Sequence, residues 1–407
     1  RKSKTSSALQ YFVPRWISER MSVFNCIGRF CTCTNFITKS WLKPAPTGSV
    51  LIKSPWHYPI RLCLNPLIAA IAAGNTAIIK PSELTPESGK VVQELIKKTF
   101  NENEVSVILG EKSVAEKLLS LPFNHILFTG SPEIGKIVMR AAAKHLSGVT
   151  LELGGKSPTI IDSTANIKEA AWKIAFFKYA NAGQTCTAPD YILCEESVHE
   201  KLVEELDKNI TNFFGGNLVG GSKDYCAIAN EFHFARLDKL LEESKKGGAI
   251  IACGGHKNKK SLYLSPTVLT GVQPDNPIMK EEIFGPLLPI VKVKSVDEAI
   301  SYINEKPKPL ALYLFSKNKT NCNLVLNSTS SGGLVINDCV LHHTNPNLPF
   351  GGINNSGVGS YHGKFGFDAF SHQKAVMQSS GYSPFKLMLP PYTETKARLA
   401  SLIKKFF

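Results

Sequence analysis

From residue 48 onward, short apolar runs rich in β-branched residues alternate with longer stretches whose apolar positions recur every three or four residues. That alternation predicts βαβ units around a parallel sheet. Residues 48–53 read as a strand, 60–73 as an apolar helix stopped by Gly74, and 76–80 as the next strand. Pro81 and Pro86 frame the turn into a helix over 87–100. Strands are expected at 105–109, 125–128 and 150–153, with a helix at 134–145 between the last two. This half has a Rossmann-like pattern. Beyond Gly154 and Gly155 a second α/β segment opens, with a helix near 167–182, strands near 191–194 and 250–253, and alternating elements to about residue 352. Residues 1–43 show no clear periodicity and receive no fold. Leu399, Leu402, Ile403, Phe406 and Phe407 recur at helical spacing, as in a short amphipathic helix.

With 407 residues and 43% hydrophobic content, the chain can bury a core and fill two or three domains. No apolar run reaches the roughly 18 to 20 residues that cross a bilayer, because the best one, 66–73, is cut by Gly74 and Asn75. The net charge of +14 is concentrated at the ends. Residues 1–43 hold eight Lys or Arg against one Glu, and residues 386–407 hold five against one. Solvated tails account for it. No aromatic stacking motif accompanies the charge, so no nucleic-acid partner is expected, and contact with an anionic membrane would be peripheral, weak and salt-sensitive. Ten cysteines without framework spacing fit a reducing, cytoplasmic setting. Cys26, Cys31 and Cys33 have no second pair or nearby histidine, and no metal site is expected.

Three segments carry chemistry. Gly183-Gln184-Thr185-Cys186 follows a helical stretch and precedes Thr187-Ala188-Pro189, so Cys186 sits among small, polar and turn-forming residues as an exposed cleft thiol would. It is either a nucleophile or a structural thiol. Glu152 lies at the end of a buried strand beside Gly154 and Gly155, where an acid is costly unless paired or functional, and could activate a thiol or a water. Gly130-Ser131-Pro132-Glu133-Ile134-Gly135 leads from a strand end into a helix, whose free amides and dipole suit a diphosphate. Lys80 and Glu83 would project from the carboxyl edge of the same sheet.

Together with 75–83 (NTAIIKPSE), 281–286 (EEIFGP), 348–352 (LPFGG), 360–364 (SYHGK) and 370–372 (FSH), these segments resemble the aldehyde dehydrogenase superfamily over about residues 44–393. The strings are most similar to its class 3 branch, which includes fatty aldehyde dehydrogenases. The resemblance implies an α/β aldehyde dehydrogenase fold: a Rossmann-like NAD(P)-binding domain over 44–154, a catalytic α/β domain over 155–357, and a C-terminal segment with small oligomerisation elements and the tail over 358–407. It implies Cys186 as nucleophile and Glu152 as the base for thioester hydrolysis. Lys80 and Glu83 would hold the adenosine ribose, residues 130–135 the diphosphate, and Glu282 with Phe284 the nicotinamide ribose and ring. NAD is the expected cofactor with NADP second, because the Glu83 carboxylate should repel a 2′-phosphate. The substrates would be medium- or long-chain aliphatic, or aromatic, aldehydes, and the assembly a homodimer.

The chain departs from the family pattern at Trp56-His57-Tyr58-Pro59, where the family has asparagine in place of His57 as an oxyanion donor. Loss of one such donor costs roughly 10²- to 10³-fold in turnover, and His57 would replace it in part. A rival reading follows: a nucleotide-binding homologue with impaired catalysis and a regulatory role. The 1–43 segment also lacks the longer helical region that relatives carry there. No hydrophobic anchor like that of membrane-bound relatives follows the amphipathic tail before Phe407.

Overall fold

A computed structural model describes residues 38–403 apart from 216, 217, 220, 380 and 382–388. Cys26, Cys31, Cys33, Phe406 and Phe407 therefore lie outside the described residues. The chain divides into two compact units, one of residues 47–370 and one formed by the two chain ends.

The first strand, β1 (Thr38–Pro46), belongs to the unit of the ends. Next come β2 (Ser49–Lys53), α1 (Arg61–Ala72), β3 (Thr76–Lys80), α2 (Pro86–Thr99), β4 (Val105–Val107) and α3 (Lys112–Leu119). Then β5 (His125–Gly130), α4 (Pro132–Ala143) and β6 (Gly148–Leu153) complete the Rossmann-like half. Its sheet has the order β16-β6-β5-β2-β3-β4, in which β16 (Gly357–Val358) runs antiparallel to β6 and the rest are parallel. The chain builds outward from β2 to β4, then returns to place β5 on the other side of β2. Ligands of such doubly wound sheets bind at that reversal, outside the carboxyl ends of the strands.

The second sheet, of order β15-β14-β7-β8-β13-β12-β9, is parallel except for β9. It comprises β7 (Pro158–Ile161), β8 (Tyr191–Glu195), β9 (Ile250–Cys253), β12 (Thr267–Thr270), β13 (Leu287–Val293), β14 (Ala311–Phe315) and β15 (Gly333–Ile336). β10 (Lys257–Asn258) and β11 (Tyr263–Leu264) form a small hairpin. The helices are α5 (Ile167–Tyr179), α6 (Glu196–Phe214), α7 (Glu231–Lys246), α8 (Val296–Asn304), α9 (Lys319–Ser328) and α10 (Gly363–Ala369). All five residues of β14 are buried, as a central parallel strand covered on both faces requires. Asn75 donates to the carbonyls of Ala70 (3.0 Å) and Phe370 (2.9 Å), which ties the end of α10 to the first sheet.

The unit of the ends pairs β1 with β17 (Ser371–Ser379) in an antiparallel ribbon running from Thr38↔Ser379 to Pro46↔Ser371, and adds α11 (Glu394–Ile403). β1 gives a strand to residues 38–43 of the segment read without a fold, while 1–37 lie outside the described residues: Pro44 and Pro46 break its alternation, and its partner lies near the opposite end of the chain. Two helix boundaries also differ. α4 starts at Pro132, not 134, because Ser131 caps it and proline suits the first helical position. α5 stops at Tyr179, not 182, because Asn181 and Ala182 turn left-handed at φ 52° and 53°. The helix read over 399–407 begins earlier, at Glu394.

Candidate active site

The left-handed turn after α5 aims the nucleophile segment. Gly183, at φ 72°, continues it, and a Cβ there would lie 2.2 Å from the Gly285 carbonyl oxygen, so this loop and residues 281–286 press backbone to backbone. The buried Gln184 side chain holds the turn: it donates to the carbonyls of Asn181 (3.0 Å) and Ala227 (3.2 Å), and accepts from the Ala229 amide at 2.8 Å. Tyr313 fixes the far side by donating to the Thr187 carbonyl at 2.5 Å.

Cys186 is half-buried, not exposed as its neighbours in sequence suggested, and packs against the apolar cluster of Leu310, Phe350 and Tyr361. Burial pushes its thiol up to about 12, and the Glu282 and Glu152 carboxylates push the same way. The backbone amides of Cys186 and Thr187 pull it back. Glu152, one residue before the end of β6, is buried and has no hydrogen-bond partner on either carboxyl oxygen, so burial raises it well above the usual carboxylate range. Tyr361, fully buried, lies within electrostatic reach of both Cys186 and Glu152.

Glu282 joins this group, since its carboxylate acts on Cys186 and its Oε2 would lie 1.9 Å from any Cβ at position 154. Burial and Asp190 push it up to about 8, against Lys156, the Gly155 amide and Arg236. The loop around it is clamped. Asp190, four residues after Cys186, accepts from the Ile283 amide at 2.8 Å and pairs with Lys156. Lys156 also donates to the carbonyls of Ile278 (2.9 Å) and Glu281 (2.8 Å), while Arg236 donates to the Ile283 carbonyl at 2.6 Å. Phe284 leaves this loop at φ 45°.

His57 stands edge-on to Phe284, with ring centroids 5.1 Å apart, and Trp56 does the same at 5.4 Å. The Tyr58 and Thr185 hydroxyls meet at 3.0 Å, joining this turn to the nucleophile loop. His57 is buried, with Nε2 unpartnered, and burial alone pulls its pKa down to about 4. The imidazole is therefore neutral at pH 7, which removes the protonated form as a stabiliser of thiolate or alkoxide.

A second group forms at the carboxyl edge of the first sheet. Lys80, buried at the end of β3, donates to the Pro81 carbonyl at 2.7 Å and pairs with the exposed Glu83 at 3.4 Å. Burial raises the Glu83 carboxyl, but its own backbone amide and Lys80 bring it below the usual range. Gly130 is required because a Cβ would lie 2.4 Å from the Phe128 ring, and Gly135 because one would lie 2.7 Å from Leu153. Ser131 caps α4 by accepting from the Ile134 amide, with Glu133 and Ile134 exposed in its first turn. A paired lysine and carboxylate at the same sheet edge as a helix start fit an adenosine ribose and diphosphate, and Glu282 with Phe284 in the group of Cys186 fit the nicotinamide end.

The sequence-predicted residues thus form two groups: Cys186, Glu152, Glu282, Phe284 and His57 in one, and Lys80, Glu83 and residues 130–135 in the other. Sequence reasoning missed the Asp190–Lys156–Arg236 clamp and Tyr361. An aspartate beginning the otherwise apolar run of 190–194 was the available signal for the clamp. Among the described residues no group of three or more His, Cys, Asp or Glu is set to hold a metal, and no helix is long and apolar enough to cross a membrane.

A sequence model of the aldehyde dehydrogenase family matches residues 31–376. A Staphylococcus aureus protein named 4,4'-diaponeurosporen-aldehyde dehydrogenase is 50% identical over 88% of this chain and 77% of its own length. Mouse aldehyde dehydrogenase family 3 member A2 is 47% identical over 90% of this chain and 76% of its own. The solved substrate-bound state of Staphylococcus aureus AldH superposes with a TM-score of 0.87 at 47% identity, covering 92% of this chain and 81% of that one.

Proposed function

The chain belongs to the aldehyde dehydrogenase family, and from that premise we propose that it oxidises aldehydes to carboxylic acids through a covalent adduct on Cys186, with NAD(P)+ as cofactor. The observation that carries this reading is the convergence of Glu152 and Glu282, from separate parts of the chain, on Cys186.

The reaction assigns a task to each residue. The Cys186 thiol loses its proton, and Sγ adds to the aldehyde carbonyl carbon. Charge develops on the carbonyl oxygen, where the backbone amides of Cys186 and Thr187 and the neutral imidazole of His57 are the donors at hand. Bound NAD(P)+ supplies the acceptor for the hydride that leaves this carbon, which turns the adduct into a thioester. Glu152 then takes a proton from water, the water oxygen attacks the thioester carbon, and the carbon–sulfur bond breaks to release acid and free Cys186. Burial raises the Glu152 carboxyl, and water entering for the second half-reaction relieves that effect and frees the carboxylate to act as the base.

Lys80 and Glu83 hold the adenosine ribose, the start of α4 with Gly130, Ser131, Pro132, Glu133, Ile134 and Gly135 meets the diphosphate, and Glu282 with Phe284 positions the nicotinamide end. Substrates in this reading are medium- or long-chain aliphatic, or aromatic, aldehydes, which places the chain in aldehyde and lipid metabolism. Relatives named aldehyde dehydrogenase family 3 member A2 and 4,4'-diaponeurosporen-aldehyde dehydrogenase support an aldehyde as substrate. A homodimer in the cytoplasm with at most peripheral membrane contact completes it.

The test follows NADH absorbance with a medium-chain aliphatic aldehyde and with benzaldehyde, using the purified chain and its Cys186→Ala variant. Turnover by the parent and none by the variant is expected, with NADH binding retained in both. Oxidation persisting in the variant would remove Cys186 from its role. A parent that binds NADH but stays silent would establish the non-catalytic rival.

A further inference from the structure

Three neighbouring strands of the first sheet end side by side. Register pairs Lys53, the last residue of β2, with Lys80 on β3 and with Phe128 on β5. Lys53 thus stands at the reversal of strand order, between Lys80 of the proposed ribose site and the strand that leads to Gly130. Its ammonium lies 4.7 Å from the Phe128 ring centroid, over the ring that leaves no room for a side chain at Gly130. The charges it meets are those of Glu83 and Lys80.

The two lysines are not alike. Lys80 donates at close range to the Pro81 carbonyl and to Glu83. Lys53 is half-buried, and among the described residues it has no carboxylate within ion-pair distance. Its one close partner is an aromatic face, a weaker substitute for an anion. Two ammonium groups and one carboxylate leave this edge with a net positive charge, although Glu83 by itself would make it repel a second phosphate.

We propose that Lys53 determines cofactor specificity, receiving the 2′-phosphate of NADP(H) at the ribose edge and offsetting Glu83, so that the chain binds NADP(H) as well as NAD(H). The inference rests on the assignment of Lys80 and Glu83 to the adenosine ribose. It offsets the repulsion expected of the Glu83 carboxylate toward a 2′-phosphate. Phosphate enters beside Lys53 while Lys80 and Glu83 keep their contact, so one edge serves a ribose with or without the extra anion.

Fluorescence titration of NADPH and NADH at fixed ionic strength, without aldehyde, tests this in the parent, Lys53→Met, Lys53→Arg and Lys80→Met. The parent binds NADPH within about tenfold of NADH. Lys53→Met shifts the affinity ratio against NADPH by about tenfold, equivalent to about 1.4 kcal/mol, and Lys53→Arg returns it toward the parent ratio. A Lys53→Met ratio within twofold of the parent overturns the proposal. If Lys80→Met also leaves both affinities unmoved, the ribose assignment falls with it; if Lys80→Met weakens both, only the role of Lys53 is lost.

Discussion

The nucleophile group and the ribose edge lie in the same unit of the fold but treat charge in opposite ways. Around Cys186 the titratable groups are sequestered and short of partners: Glu152 has no hydrogen bond, His57 has an unpartnered ring nitrogen, and the thiol is pushed up to about 12. At the ribose edge, Lys80 pairs with Glu83, whose carboxyl is held below the usual range, and Lys53 lies within electrostatic reach of both. One region holds groups whose charged forms burial disfavours, and the other presents a pattern of charge to an incoming anion. The first should therefore respond to pH and the second to ionic strength.

The comparison breaks first at Glu152. Glu152→Gln, which cannot take a proton from water, should lower steady-state turnover by about 10²- to 10⁴-fold. Rapid mixing should still give one NADH per active site in the first turnover, and a variant with parental steady-state turnover would show that the water is activated elsewhere. Next is the clamp, the one strongly paired feature on the nucleophile side. Asp190→Asn leaves Lys156 half-satisfied in a mostly buried place and should cost about 3 kcal/mol of stability. That loss would appear as a lower urea midpoint together with weaker NADH binding as the loop carrying Glu282 loosens.

Smaller effects sharpen the contrast. Because Cys186 must lose a proton held by burial, kcat/KM should rise from pH 7 to 9 by up to about tenfold per unit, as the thiolate fraction does below its pKa. A flat profile would mean that substrate or cofactor binding brings the thiol down to neutral range. The smallest change is expected for His57→Asn: a rise in turnover below about tenfold, since a neutral N–H already donates. A rise approaching the roughly 10²- to 10³-fold worth of a full oxyanion donor would mean that His57 contributes nothing.

Much of this was legible in sequence because it is local. The βαβ alternation, the Gly130–Gly135 turn and the Lys80–Glu83 pair rest on near neighbours, and their predicted edges moved by only a few residues. What escaped notice depends on register or on distant partners. Lys53 reads as an ordinary strand end until β2 is set between β3 and β5. Asp190 and Lys156 become a clamp only when β8 and the 278–283 loop meet. β1 acquires its identity from β17, near the other end of the chain. The neutral state of His57 is a product of burial, which no local pattern encodes.

Lys156 has one more consequence. A protein that receives aldehydes exposes its own amines to them, and any amine with a free lone pair can condense with a carbonyl to form an imine. The Lys156 ammonium commits all three of its protons, to Asp190 and to the carbonyls of Ile278 and Glu281, so bringing its nitrogen to a carbonyl would require breaking all three contacts. The contacts that steady the loop also give the site chemoselectivity, because they keep a lysine near the reaction from competing with sulfur for the substrate.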